Sequence, residues 1–321
     1  MNETINNYCT IVSKEYFIKS LALYDSICRH SHNNFHLWIC AMDNASYDGM
    51  RKINLANTTI IDIASVENNF LLKAKNNRSI TEYCWTVKAS FIKFIIKHNR
   101  GIDSIIYMDA DTYLFSEPSM LFQKLGKNDA LLTSHNFSDR FLHLNKQKGK
   151  YNAGIIGFKN SIRALNILSW WERRCVEWCY DQVISNRFAD QKYLEMIPRK
   201  YSRVFIAKSL IANAAMWNIE NCKFELKEEK VFINDDILIF FHFSSFFIIG
   251  ENELDLWKWD YPKLNEEIRE IIYRPYIRSI LKGMSLIKEQ GEELSKFLLE
   301  SCNVKSAGNH MKIEENRSAF I

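Results

Sequence analysis

Proline and glycine are scarce in this chain, 4 and 10 of 321 residues. That scarcity excludes collagen-like and low-complexity architectures. Cysteine occurs eight times but never as Cys-x-x-Cys. Cys175 and Cys179 lie one helical turn apart, with no His or Cys pair nearby to complete a zinc site. Apolar neighbours, such as Ile39 before Cys40, indicate buried free thiols and a reducing, cytoplasmic setting. No apolar run approaches the roughly 18 residues that span a bilayer. The opening Met1-Asn2-Glu3-Thr4-Ile5 lacks the basic-then-apolar order of a secretion signal, and none is expected. A strong charge of one sign is also missing. The net charge is +4 and the basic residues are dispersed, which argues against nucleic acid as a partner.

What the chain does have is apolar material, 47% hydrophobic and 13% aromatic, enough for a sizeable core. Its length suits one large domain with or without an appendage. Tyr8–Val12 reads as a strand, Glu15–Cys28 as a helix, Phe35–Asp43 as a strand and Ile60–Ile63 as a short strand. Strand and helix in alternation predict a parallel sheet. Further on, a helix is expected from Glu82 to about His98, strands at 129–134, 151–158 and 237–244, and a long helix over Ile162–Tyr180. Residues 136–150 are polar and basic and read as a mobile loop beside a site. Residues 1–255 form the expected main domain. Residues 256–321 form a charged, helical extension that packs on the sheet domain or lies on an anionic membrane, with a disordered tail after Cys302.

The organising stretch is Ile105-Ile106-Tyr107-Met108-Asp109-Ala110-Asp111-Thr112-Tyr113-Leu114-Phe115. Its entering run has the length and β-branching of a buried strand. A buried strand has no cheap place for an ionised carboxylate. Asp109 and Asp111 therefore mark the point where the strand leaves the sheet, the edge at which open α/β sheets bind ligands. Residues two apart on an extended segment point the same way, so the two carboxylates converge. Converging hard oxygen donors suit Mg²⁺ or Mn²⁺ shared with a phosphorylated substrate. The competing reading is an Asx-turn or helix cap.

Other candidates gather around this stretch. Ser13 and Tyr16, after the first strand, are candidate nucleotide contacts, and Asp62 at the end of the third strand joins them. Ser13 and Tyr16 have structural alternatives as a helix cap and a core aromatic. Lys88 lies on the helix that feeds the acidic strand and could reach a diphosphate beside Asp109. Asn152 and Gly154 open an apolar strand with small residues that let backbone approach a ligand. Asp190 is a helix cap or a polar group aimed at substrate. Residues 213–218 offer amides and an aromatic platform. His242 ends a strand as the Asp pair does and could add a third metal ligand.

Six segments, in order and spanning roughly residues 8–245, carry a resemblance. They are Cys84-Trp85-Thr86-Val87-Lys88, Ile106–Asp111, Tyr151-Asn152-Ala153-Gly154, Ala189-Asp190-Gln191-Lys192, Ala215-Met216-Trp217-Asn218 and Phe241-His242-Phe243. The chain resembles bacterial GT-A-fold glycosyltransferases of the family-eight-like, nucleotide-diphospho-sugar transferase group. That resemblance implies a mixed, mainly parallel α/β sheet flanked by helices. It implies transfer of a sugar from a nucleotide-diphosphate donor, a UDP-sugar for preference, to a glycan or lipid-linked saccharide of the cell surface. It assigns Asp109, Asp111 and His242 to Mn²⁺ or Mg²⁺, Lys88 to the diphosphate or sugar, and Asn152 and Gly154 to the sugar and acceptor side. Asp190 and Gln191 become the pair that recognises the donor sugar near its anomeric carbon. The chain departs from the family after His242, where Phe243-Ser244-Ser245-Phe246-Phe247 stands in place of a Gly-Lys-Pro-Trp segment. Two rivals are a sugar nucleotidyltransferase and a non-catalytic carbohydrate- or partner-binding relative. The first is disfavoured because Ser13-Lys14-Glu15-Tyr16 lacks the glycine-rich loop such enzymes carry.

Overall fold

A computed structural model describes residues 5–31, 34–259, 261–298 and 309–313. Along the chain come β1 (Asn6–Val12), α1 (Phe17–His30), β2 (Phe35–Ala41), α2 (Asn44–Ile53), β3 (Thr58–Asp62), α3 (Asn69–Lys75) and α4 (Ile80–His98). Then follow β4 (Ser104–Met108), β5 (Thr112–Leu114), α5 (Ser119–Gly126), β6 (Ala130–Ser134), α6 (Leu144–Lys148), β7 (Tyr151–Lys159) and α7 (Ile162–Glu177). The last third holds α8 (Ile197–Lys200), β8 (Val204–Ala207), β9 (Ala214–Ala215), a β10–β11 hairpin (Phe224–Lys227, Lys230–Ile233) and β12 (Asp236–Ile237). It continues with β13 (Phe240–His242), β14 (Phe247–Gly250), β15 (Glu253–Asp255), α9 (Glu266–Ile268), α10 (Arg274–Glu289) and β16 (His310–Lys312).

The main sheet has seven strands in the order β3-β2-β1-β4-β7-β6-β8. β1 runs parallel to β2 and β4, and β6 parallel to β8, while β7 is antiparallel to both β4 and β6. The mixed, mainly parallel sheet expected from the sequence is present. Reversal of β7 has a functional consequence. It brings Asn152, at the start of that strand, to the same sheet edge as the residues that follow β1, β4 and β6.

Side-chain alternation along the strands feeds two cores. Ile106 and Met108 face one core, with α1 and α10, and Ile105 and Tyr107 face the other, with α4 and α7. α4 is started by a capping box, in which Ser79 and Glu82 satisfy each other's backbone donors. A small second sheet, β5-β13-β9, crosses the edge of the first. In it His242 lies opposite Thr112 on β5 and beside Ala215 on β9.

The C-terminal helix buries its apolar face in the core of α1. Tyr276 stacks on Phe243 at 3.8 Å between ring centroids, and Ile280, Met284 and Ile287 are buried. Asp25 of α1 accepts from Ser279 and Lys282, each at 2.6 Å. The apolar stripe is therefore spent on packing rather than offered to a membrane.

Four local expectations change. Residues 136–150 are not a structureless loop: they hold a 3₁₀ turn at Asp139–Phe141 and α6. The strand expected over 237–244 is divided into β12 and β13. The long helix ends at Glu177 rather than Tyr180. Part of the tail is ordered, because His310–Lys312 pairs antiparallel with β15, while residues 303–308 and 314–321 lie outside the described residues.

Candidate active site

The edge that gathers the ends of β1, β4 and β6 with the start of β7 opens into a cleft of about 950 Å³. Ser13, Tyr16, Lys88, Asp109, Asp111, Asn152, Asp190, Gln191 and His242 all line it.

The acidic turn is tightly built. Asp109 N–H donates to Gly154 O at 2.8 Å, which ties the end of β4 to β7. Thr112 donates to Asp109 O through both its amide (3.0 Å) and its hydroxyl (2.7 Å), closing the turn into β5. Tyr107 OH donates to Asp109 Oδ1 at 2.8 Å. Asp111 is buried, with its Oδ1 at 3.1 Å from His242 Nε2. Burial disfavours its charge, but His242 and Lys19 outweigh that and hold the carboxyl down at about 2. Burial likewise works against a charged His242, and Asp111 lifts it above its ordinary value.

Asp109, Asp111 and His242 each offer a ligand atom within 4.8 Å of the others. His242 Nδ1 is buried with no hydrogen-bond partner among the described residues. Two carboxylates and an imidazole fit a borderline-hard divalent ion of the Mn²⁺ kind, and Mg²⁺ fits the oxygens alone. Gly154 lies beneath this group. A Cβ there would stand 2.5 Å from His242 Cε1 and 2.7 Å from His242 Nδ1. Its small size serves the imidazole. Gly154 is not among the residues lining the cleft.

Lys88 is buried (2% exposed) and all three of its donors are engaged. Nζ lies 3.0 Å from Ala153 O, 3.1 Å from Asp109 Oδ1 and 3.0 Å from Asp190 Oδ2. Burial pulls against the ammonium, yet Asp109 and Asp190 together raise its pKa above the usual lysine range. The side chain clamps two carboxylates rather than reaching out on its own. Asp190 is buried too: desolvation lifts its carboxyl, Lys88 restrains it and Asp109 adds to the lift. Its carbonyl accepts from Trp171 Nε1 at 2.9 Å. Ala189 just before it holds φ +47°, a strained left-handed conformation for a residue with a Cβ. Gln191 Nε2 donates to Lys148 O at 3.0 Å and so ties this turn to α6.

His135, just beyond β6, is a participant the sequence reading missed. Nδ1 lies 2.7 Å from Gly149 O, and Nε2 lies 3.2 Å from Asn152 Nδ2. A carbonyl accepts and an amide nitrogen donates, so the proton sits on Nδ1 and the ring is neutral. Burial drives its pKa down to about 3. Asn152 Oδ1 accepts from Gly154 N at 2.8 Å, which fixes that amide's orientation. The His135 carbonyl receives Trp217 Nε1 (3.1 Å) and Asn218 Nδ2 (2.8 Å). Trp217 in turn meets the His242 ring edge-on at 5.3 Å. The amide-and-aromatic platform expected at 213–218 thus abuts the candidate metal ligands. A lone His after a strand carries no sequence signal of this role.

Asp62 stands apart. It caps the turn after β3, accepting from Ala64 N at 2.9 Å, and is not among the lining residues. Ser244 and Ser245, in the segment that departs from the family pattern, do line the cleft, and Ser245 holds φ +63°.

The family model described as Nucleotide-diphospho-sugar transferase matches residues 32–224. Two relatives from Bacillus subtilis strain 168, the uncharacterized proteins YfnD and YfnF, are 32% and 28% identical. YfnD aligns over 88% of this chain and 91% of its own length, YfnF over 83% and 91%. Among solved structures, mouse xyloside xylosyltransferase 1 is 13% identical at a TM-score of 0.51, covering 74% of this chain and 97% of its own. The glycosyltransferase GlyE of Streptococcus pneumoniae TIGR4 is 14% identical at 0.51, over 89% of this chain and 63% of its own. An active-site mutant of LgtC is 13% identical at 0.50, over 83% and 94%. These likenesses share the GT-A fold with this chain. The chain belongs to the nucleotide-diphospho-sugar transferase family and is a GT-A-fold glycosyltransferase.

Proposed function

We propose that the protein moves a sugar from a nucleotide-diphosphate donor, a UDP-sugar for preference, to a saccharide or lipid-linked saccharide acceptor. Cell-surface polysaccharide or lipopolysaccharide synthesis, at the cytoplasmic face of the membrane, is the setting this chemistry suits. The observation that carries the reading is the convergence of Asp109, Asp111 and His242 beside the Lys88–Asp190 pair on one cleft wall. Among the described residues no helix is long and apolar enough to cross a membrane.

Breaking the bond between the anomeric carbon and the phosphate builds positive charge on the sugar, as in glycoside hydrolysis. Negative charge collects on the departing diphosphate. A divalent ion held by Asp109, Asp111 and His242 supplies Lewis-acid stabilisation of that charge. The chain's own residues do the rest. Lys88 clamps Asp109 and Asp190 and keeps them aimed. Asp190 meets the sugar near its anomeric carbon, and its negative charge complements the oxocarbenium character there. Asn152, locked by His135 and Gly154, presents its remaining amide hydrogen to the sugar side. Gln191 ties the sugar-facing turn to the 136–150 segment, whose position over the cleft limits water and favours the acceptor hydroxyl over hydrolysis. Ser13 and Tyr16 stand at the end of β1, where the nucleotide is expected.

Thermal shift against a panel of sugar nucleotides, with and without Mn²⁺, tests this on wild type and Asp111→Ala. Stabilisation by one UDP-sugar that needs both metal and Asp111 supports the reading and names the donor. A folded protein that responds to none contradicts it.

A further inference from the structure

The sheet order gives the cleft two ends. Ser13 and Tyr16 stand at the β1 end, and Asp109, Asn152 and His135 follow across β4, β7 and β6. At the far end Ser138 and Arg140 in the segment after His135, Glu220 in the turn after Trp217, and Tyr261 meet. Ser138 Oγ donates to Glu220 at 3.0 Å, Arg140 Nε lies 3.4 Å from it, and Tyr261 OH donates to it as well.

Two large rings in this wall stay open. Trp259 is 53% exposed and Tyr261 39%. An aromatic ring has 150–250 Å² to bury, about the largest apolar gain of any side chain. Leaving two of them open side by side in a cleft is a cost unless a ligand covers them. The loop that carries them is built, not loose. Asn309, itself buried, donates to Trp257 O at 2.9 Å and Trp259 O at 3.0 Å. Lys258 N donates to Ser245 O at 3.2 Å, and Trp257 Nε1 to Tyr261 O at 3.2 Å.

Each ring has a cation against it. Lys258 Nζ lies 4.5 Å from the Trp259 centroid, and Arg140 Cζ lies 3.7 Å from that of Tyr261. Among the described residues no carboxylate lies within ion-pair distance of Lys258, and Arg140, more than half exposed, is paired with Glu220 through Nε. The floor of the cleft is acidic, with Asp109, Asp111 and Asp190. In the proposed reaction the donor's diphosphate would be bound there through a divalent ion held by Asp109, Asp111 and His242. A second cationic wall, built by Lys258 and Arg140 against open aromatic rings, therefore suits the other substrate.

We propose that Trp259, Tyr261, Lys258 and Arg140 form an acceptor subsite for an anionic saccharide. A pyranose ring stacks its C–H face on Trp259, and a carboxylate or phosphate on that acceptor pairs with Lys258 and Arg140. The assignment rests on the transferase reading for calling the ligand an acceptor, but its binding test is separate.

The test is titration calorimetry with three probes in the presence of Mn²⁺ and UDP: methyl glucoside, methyl glucuronide and glucose 1-phosphate. An anionic probe binding about tenfold tighter than the neutral one is expected, with the advantage shrinking at high salt. Preference for the glucuronide identifies a carboxylated acceptor, and preference for the phosphate a phosphorylated one. Trp259→Ala loses binding of every probe, and Lys258→Gln loses only the anionic preference. Both variants keep the Mn²⁺–UDP thermal shift of the wild type. Three results overturn the subsite: no probe bound or no anionic preference in the wild type, unchanged affinity in Trp259→Ala, or loss of the Mn²⁺–UDP shift in either variant. Anionic probes that bind in a wild type without any nucleotide response would sink the donor assignment and leave the subsite standing.

Discussion

Replacing Gly154 by Ala probes the metal-side geometry with a single carbon. The added Cβ would stand 2.5 Å from His242 Cε1, 2.7 Å from His242 Nδ1 and 2.6 Å from Asn152 Oδ1. Non-bonded carbons settle at about 3.5–4.0 Å, so the imidazole must retreat by about 1 Å. Its 3.1 Å contact with Asp111 cannot survive that retreat. Overpacking of a well-filled interior costs about 1–3 kcal/mol. Displaced ligand geometry weakens metal binding by about 10–100-fold, and a misplacement of about 1 Å costs on the order of 100-fold in rate. The assay pairs Mn²⁺ titration in the presence of UDP with urea unfolding followed by tryptophan fluorescence. A double-mutant cycle with His242→Ala isolates the clash, and a coupling of about 0.5–3 kcal/mol is expected because truncating the ring makes room for the methyl. Some cost remains in the double variant, owing to Asn152 Oδ1. Gly154→Ala with wild-type Mn²⁺ affinity and an unchanged urea midpoint would refute the reasoning.

Lys88→Met strands the buried Asp190 carboxylate and leaves half-buried Asp109 without its cation, and is expected to cost about 3–5 kcal/mol at neutral pH. Burial already lifts the Asp190 carboxyl and Lys88 restrains it, so without the ammonium the folded variant binds more protons than the unfolded chain and the penalty shrinks as pH falls towards 5. A pH-independent loss would mean packing, not charge. Neutral His135 has its pKa depressed to about 3, so the stability it contributes is present above its unfolded value of about 6.5 and is lost as pH falls. Between pH 6.5 and 5 this amounts to about 2 kcal/mol, to be read from urea midpoints, and His135→Asn flattens that part of the profile. Asp25→Ala breaks the bonds to Ser279 and Lys282 and is expected to cost about 1.5–3 kcal/mol. Because the Asp25 carboxyl is held below its ordinary value, that difference from wild type fades in acid, below about pH 4.

Much of the site could be read because its residues sit where secondary structure changes. Asp109 and Asp111 interrupt an apolar run, and a strand cannot bury them, so the sheet edge was legible from desolvation alone. His242 repeated that position at the end of another strand. What pairing across the chain decides was not legible. Nothing near Lys88 reveals that Asp190, some hundred positions on, will be its counter-ion, or that β7 inserts antiparallel and carries Asn152 to the ligand edge. The hairpin at 224–233 was unread because its turn is Glu228-Glu229, both at positive φ, where Asn-Gly is the usual signal. Residues 136–150 looked structureless because short polar helical turns have no apolar period. They are held instead by His135, Gln191 and Glu195, three outside contacts to Gly149, Lys148 and Lys150.

Release of UDP from UDP-sugars tests the central claim most directly, measured with Mn²⁺, with chelator, and in Asp111→Asn. The account predicts release with at least one UDP-sugar that stops on chelation and falls by two orders of magnitude or about that in the variant. Release that persists undiminished in chelator, or equal release by wild type and Asp111→Asn, would contradict it.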